Sequence, residues 1–130
     1  MGRFDADTEV ERRDLVEAAI RAHRDRGSAF TTMQTPTGAD DEPEPWIQFA
    51  ADESLLNLDC TDEEYHRLEG LLDEFGGMTI TERHTPDDVD GTNVRIGARV
   101  DDGRIAQFVE RCFREVYDRP DDYRLWVTDV

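Results

Sequence analysis

Lysine does not occur in this chain of 130 residues, and all 15 basic residues are arginine. A chain without lysine lacks the phosphate-binding lysine of a P-loop, cannot form a Schiff base and has no lysine general base. Several large classes of enzyme are therefore excluded before any motif is considered.

Other motifs of common enzymes are also missing. Ser28 and Ser54 are the only serines, and neither lies in a GxSxG nucleophile elbow. The sequence contains no GxGxxG, no HExxH and no paired Cys/His spacing for zinc. We therefore expect neither a cofactor nor a metal centre, and no catalytic residue can be assigned.

Cysteine and long apolar runs are scarce as well. Cys60 and Cys112 are far apart and form no CxxC pair, so we expect two buried, reduced thiols. No stretch approaches the roughly 20 apolar residues that cross a bilayer. The segment Met1–Asp5 has no apolar core of a signal peptide. These features predict a cytoplasmic protein that does not contact membranes.

Acidic residues dominate what is present. The chain has 32 acidic residues against 15 basic ones, which gives a net charge of −17. Such a chain repels itself at low ionic strength, whereas molar salt shortens the Debye length to about 3 Å and removes most of the repulsion. The absence of lysine together with this charge is similar to the proteins of extreme halophiles. The acidity also opposes nucleic-acid binding, which we do not expect.

Hydrophobic periodicity predicts three helices. The first runs from Thr8 to Arg26 and opens with the capping pattern Thr8-Glu9-Val10-Glu11. The second follows the capping pattern Thr61-Asp62-Glu63-Glu64 and ends near Phe75. The third, 101–118, carries a continuous apolar stripe that includes Cys112.

Six short segments read as strands, at 28–35, 46–50, 55–60, 78–84, 93–100 and 123–128. The element order is α-β-β-β-α-β-β-α-β, and adjacent strands indicate antiparallel pairing. We therefore predict one α+β domain over residues 1–130, with an antiparallel sheet of five to six strands and three helices. Residues 1–7 are expected to be flexible, and 36–45 to form an exposed acidic loop.

The order α-β-β-β-α-β-β-α over residues 8–118 resembles that of type III secretion chaperones and YbjN-like proteins. Those proteins are small, acidic and commonly dimeric, which is what the resemblance implies here. The last predicted strand departs from that order, and fold alone does not carry function.

Two groups of residues can be interpreted either as metal ligands or as ordinary surface side chains. Glu63 and His66 have a metal-ligand spacing on a helix, but no second such pair accompanies them. Asp87, Asp88 and Asp90 form an acidic turn without the spacing of a calcium loop.

Three further side chains have conceivable acid, base or nucleophile chemistry. Cys60 has no histidine near it in sequence, and His23 belongs to an apolar helical stripe. His84 at a strand end is the most accessible acid/base candidate.

One sheet face is the main candidate site. Alternation in 93–100 directs Val94, Ile96 and Ala98 to one face and Arg95 and Arg99 to the other. Neighbouring strands extend the second set to Arg83, Arg95, Arg99, Arg124, Trp126 and His84. These residues fit a protein interface, an anion site, or arginines that merely pair with carboxylates across strands.

Two functions remain open from the sequence. The first is a non-enzymatic protein-interaction module of a halophile cytoplasm, binding a protein partner or forming a homodimer. The alternative is a small-anion-binding protein or enzyme that uses the arginine-bearing face.

Overall fold

The computed structural model describes residues 5–26, 30–35, 45–50, 53–85 and 91–129. Within these ranges the strands are β1 (Asp5–Ala6), β2 (Phe30–Gln34), β3 (Trp46–Ala50), β4 (Leu55–Cys60), β5 (Met78–His84), β6 (Thr92–Ala98) and β7 (Leu125–Asp129). The helices are α1 (Glu9–Arg26), α2 (Asp62–Glu74) and α3 (Asp102–Arg111), and α3 continues as a π-helical turn, Cys112–Val116. No helix in these ranges has the length and apolar character needed to cross a bilayer.

Side-chain caps fix where the helices begin. Thr61 Oγ1 accepts a hydrogen bond from the Glu64 N–H at 3.2 Å, and Glu64 Oε1 accepts one from the Thr61 N–H at 2.8 Å. The predicted capping box of α2 is thereby confirmed. Thr8 Oγ1 accepts from the Glu11 N–H at the start of α1, and Asp101 caps α3 through the Arg104 N–H.

The third helix widens at its end instead of continuing as an α-helix to 118. In the π-helical turn, the Tyr117 N–H donates to the Cys112 carbonyl, five residues back. The side chain of Arg67 on α2 donates to the Val116 carbonyl at 2.6 and 3.0 Å, which satisfies an acceptor that the helix end leaves open.

The strands form one antiparallel sheet in the order β1-β7-β2-β3-β4-β6-β5. The α+β class, the three helices and the antiparallel pairing are confirmed, but the sheet has seven strands where five to six were predicted. The additional strand is β1, whose two residues are too few to show any alternation. It lies within the segment 1–7 that was expected to be flexible. Residues 1–4, and 36–44 of the predicted acidic loop, lie outside the described ranges.

The core lies on one side of the sheet. Buried and less buried residues alternate along β2, β3 and β4, and the buried ones join the apolar stripes of the helices in a single cluster. On the other side, the outward side chains of the described strands are exposed or half-buried. We call this second side the open face. Its central members are Phe30, Thr32, Gln34, Trp46, Gln48, Ala50, Leu55, Asn57 and Trp126.

A buried ion pair joins the helices to the C-terminal strand. The Arg12 side chain is fully buried, and its Nε and Nη2 donate to Glu110 Oε1 at 3.1 and 2.7 Å. The same guanidinium donates to the carbonyls of Tyr123 and Asp121, each at 2.9 Å. It also stacks over the Tyr123 ring, 3.9 Å from the ring centroid. One side chain from α1 thus holds α3 and the segment that leads into β7.

We expect Arg12→Ala to lower the free energy of unfolding by about 3 to 5 kcal/mol, because it leaves the Glu110 charge and two carbonyls buried without their donor. Urea unfolding in molar KCl measures this loss. Arg21→Ala, on the exposed side of the same helix, is the matched control and should cost less than about 1 kcal/mol. Equal losses for the two variants would contradict the anchoring role of Arg12.

Candidate interaction face

Two tryptophans flank a glutamine in one cross-strand row of the open face. Gln34 on β2 pairs with Trp126 on β7 and with Trp46 on β3. Trp126 is 40% exposed. Since neighbouring strands are about 4.8 Å apart, the two tryptophans are separated by roughly 10 Å across the sheet.

The next row of the open face is polar but neutral. Thr32, Gln48 and Asn57 follow one another on β2, β3 and β4. A third row contains Phe30, which is 46% exposed, and then Ala50 and Leu55. The centre of the face therefore combines aromatic and aliphatic side chains with amides and hydroxyls.

No charged residue occurs in β2 or β3. Charges on the open face lie toward its two sides, on β1 and β7 at one side and on β4, β5 and β6 at the other. In a chain in which 36% of the residues are charged, an exposed surface with a neutral centre is a distinctive feature.

One arginine at each side of the face is paired with a carboxylate of the chain. Arg124 Nη1 lies 2.5 Å from Asp5 Oδ2, and its Nη2 lies 3.7 Å from Asp7. On the opposite side, Arg95 Nη1 lies 3.4 Å from Glu82 Oε2. These contacts are the cross-strand ion pairs that the sequence left open as one interpretation.

An amide network fixes the β4–β6 part of the face. Asn93 Nδ2 donates to Asn57 Oδ1 and to Asp59 Oδ1, each at 2.8 Å. The amide thereby holds neighbouring side chains in place and partly satisfies the Asp59 carboxylate.

The sheet order does not bring the predicted site residues together. Arg95 and His84 lie on β6 and β5, whereas Arg124 and Trp126 lie at β7. Strands β2, β3 and β4 separate the two groups, which places β6 and β7 roughly 19 Å apart. The single arginine and tryptophan cluster expected from the alternation is therefore split between the two sides of the face.

Arg83 lies on the opposite side of the sheet from Arg95. A register shift between Ile80 and Glu82 places Arg83 opposite the buried Val94. Its Nη1 donates to the Tyr65 hydroxyl on α2 at 2.9 Å. Simple alternation fails here because the extra residue of a bulge reverses the direction of every later side chain. Arg99 is exposed just beyond the end of β6.

The other chemical candidates lack the surroundings of an active site. Cys60 and Cys112 are both buried free thiols, and His23 is buried with its Nδ1 2.9 Å from the Ala19 carbonyl oxygen. Among the described residues, no group of three or more potential ligands could hold a metal ion. Glu63 and His66 are exposed on α2, and Asp87, Asp88 and Asp90 lie outside the described ranges.

Burial raises the pKa of the Cys60 thiol to about 12, with the nearby Glu64 carboxylate acting in the same direction. A thiol of this kind is a poor nucleophile, because only the thiolate attacks. The structure thus gives no support to a catalytic Cys60.

Sequence reasoning missed most of the central residues. Trp46, Gln34 and Gln48 were not predicted as site residues, because the prediction was based on the arginines of the outer strands. The signal was nevertheless present, since the sequences FTTMQ and WIQFA contain no charge in a highly charged chain.

We expect both thiols to be inert to a disulfide reagent in the folded protein at pH 8. A rise from 9.0 to about 12 lowers the thiolate fraction of Cys60 about 1,000-fold at that pH. Absorbance after addition of the reagent should show no rapid release from native protein and two equivalents after unfolding in urea. Rapid reaction of one native thiol would reopen a catalytic or redox role.

Neither a curated protein nor a solved structure matches the chain at a significant level. One family model does match, and it covers residues 1–130. The chain therefore belongs to the family described as "Family of unknown function (DUF7975)".

Proposed function

We propose that this protein is a non-enzymatic interaction module that binds a protein partner through its open face. The observation that carries the proposal is the uncharged centre of that face, where the exposed Trp126 and the half-buried Gln34 and Trp46 form one row. Helices cover the other side of the sheet, so the open face is the surface of the sheet that remains for a partner.

The composition of the face matches the anatomy of protein interfaces. Interface centres are enriched in aromatic residues and depleted of Lys, Glu and Asp, while charges occupy the rim. Here Phe30, Trp46 and Trp126 accompany neutral amides, and the paired charges of Arg95 and Arg124 lie toward the sides. A partner that covers the centre removes exposed aromatic surface from water without separating any of these ion pairs from one another.

The small-anion alternative has weaker support. Arg95 and Arg124 are roughly 19 Å apart across the sheet, and each already contacts a carboxylate. A shallow cleft of about 430 Å³ lies between α1 and the start of α3. Its charged lining residues are Arg13, Asp14, Glu17, Asp101 and Arg104. Three carboxylates against two guanidinium groups do not favour an anion there.

We further propose that the module works in a salty cytoplasm. The net charge of −17 without lysine supports this, as does the pairing of surface arginines with carboxylates. Arg111 contacts both Glu74 and Glu115, and Arg114 contacts both Glu9 and Asp121. Such contacts hold together elements that the excess of negative charge would otherwise drive apart.

A photo-crosslinking residue at position 126 tests the interaction module in cells of the organism that encodes the chain. We expect covalent adducts with a defined protein, because position 126 lies in the covered centre. The same residue at position 107, exposed on α3 on the helical side of the sheet, is the matched control and should give few adducts. Equal or negligible adduct yields at both positions would refute the proposal.

Salt dependence of stability tests the adaptation to a salty cytoplasm. We expect the melting temperature to rise by about 10 °C or more between 0.2 and 3 M KCl, because screening removes the self-repulsion of a chain with charge −17. Thermal unfolding followed by circular dichroism measures the change. A melting temperature that is constant or falls with KCl would show that the acidic surface is not adapted to salt.

A further inference from the structure

We infer that the partner on the open face is a second copy of this chain, packed face to face about a two-fold axis. This inference rests on the proposed function and names the occupant of the same surface. Three properties of the face support it: its neutral centre, the self-complementary chemistry of its polar side chains, and the symmetry of its tryptophan row.

The neutral centre provides a contact at which two copies approach without opposing carboxylates. Each copy carries a charge of −17, so two copies repel one another over most of their surfaces. Molar salt limits that repulsion to a range of about 3 Å, and carboxylates in direct contact remain unfavourable. Strands β2 and β3 contribute no charge, so the middle of a contact centred on β2 avoids this cost. Asp5 on β1 lies at the rim of that contact and is paired with Arg124.

The polar side chains at the centre can pair with copies of themselves. An interface with two-fold symmetry is built from the same patch on both subunits. An amide or a hydroxyl both donates and accepts, so Gln34 and Thr32 on β2 can each bond to their own symmetry mates across an axis that runs along β2. Carboxylates and guanidinium groups cannot do so, and β2 and β3 contain neither.

The tryptophan row fixes where the axis lies. Gln34 on β2 is flanked by Trp126 on β7 and by Trp46 on β3. An axis that runs along β2 in the plane of the interface sets Gln34 against its own mate. It also places Trp126 of each copy against Trp46 of the other. The strands of the two sheets then lie within about 30° of each other, as in aligned sheet packing.

The size of the face sets the strength that we expect. With the axis along β2, the two faces overlap over β1, β7, β2, β3 and β4, which span roughly 19 Å, and strands of five residues are roughly 17 Å long. The resulting planar area, on the order of 300 Å², is below the ~800 Å² that a standard interface buries per partner. The dimer should therefore form and dissociate with concentration rather than be permanent.

Sedimentation equilibrium of the full chain in 3 M KCl tests the inference. Between low micromolar and several hundred micromolar protein, the mean mass should rise from 15.0 kDa toward twice that value. Gln34→Glu puts two carboxylates on the axis, so we expect the dissociation constant to rise at least tenfold. Gln107→Glu is the same chemical change on exposed α3 and should leave it unchanged. Circular dichroism and melting verify that the variants fold, and Thr32→Glu, which also lies on β2, replaces Gln34→Glu if that variant does not.

A wild-type mass of 15.0 kDa over the whole range would overturn the inference, as would equal dissociation constants for folded Gln34→Glu and Gln107→Glu. The crosslinking experiment separates these failures from failure of the proposed function. Adducts at position 126 with a different protein, together with a monomeric chain, would refute only the inference that the partner is a second copy. An absence of adducts at position 126 would refute the proposed function as an interaction module.

Discussion

The buried contact between Arg12 and Glu110 is the interaction on which the rest of the architecture depends. The Arg12 guanidinium donates hydrogen bonds to the Glu110 side chain on α3 and to two backbone carbonyls just before β7. Strand β7 pairs with both β1 and β2, so whatever positions the segment leading into β7 also completes that side of the sheet. Burying a full ion pair is costly, and it persists here because the hydrogen bonds and the Tyr123 ring replace the water that Arg12 loses.

Packing all the helical stripes against one side of the sheet has a direct consequence for function. The inward residues of the strands are buried in the core, and the outward residues contact either water or a partner. At the sides of the sheet the chain meets water with ion-paired charges. At the centre it presents aromatic rings and amides instead, which is the combination that an interface uses and that a highly acidic surface otherwise avoids.

Much of the fold was predictable because the information is local. The bounds of β3, β4 and β5 are those predicted from the sequence, and the capping box at Thr61 marks the start of α2. The candidate site was predicted less well. Arg83 was assigned to the wrong side of the sheet, since a bulge near Thr81 is a tertiary adjustment that leaves no period in the sequence. Arg12 follows the same helical spacing as Val16 and Ile20, yet its partner Glu110 lies 98 residues away.

The amino-acid sequence by itself determined the helices, the lengths of most strands, the net charge and the absence of lysine, because each depends on residue identity or on neighbours within a few turns. Only the tertiary structure decided the strand order, and with it which side chains share the open face. Strand order depends on pairings between distant segments, which no local pattern encodes. That order separates Arg95 from Trp126 and places Gln34 between two tryptophans.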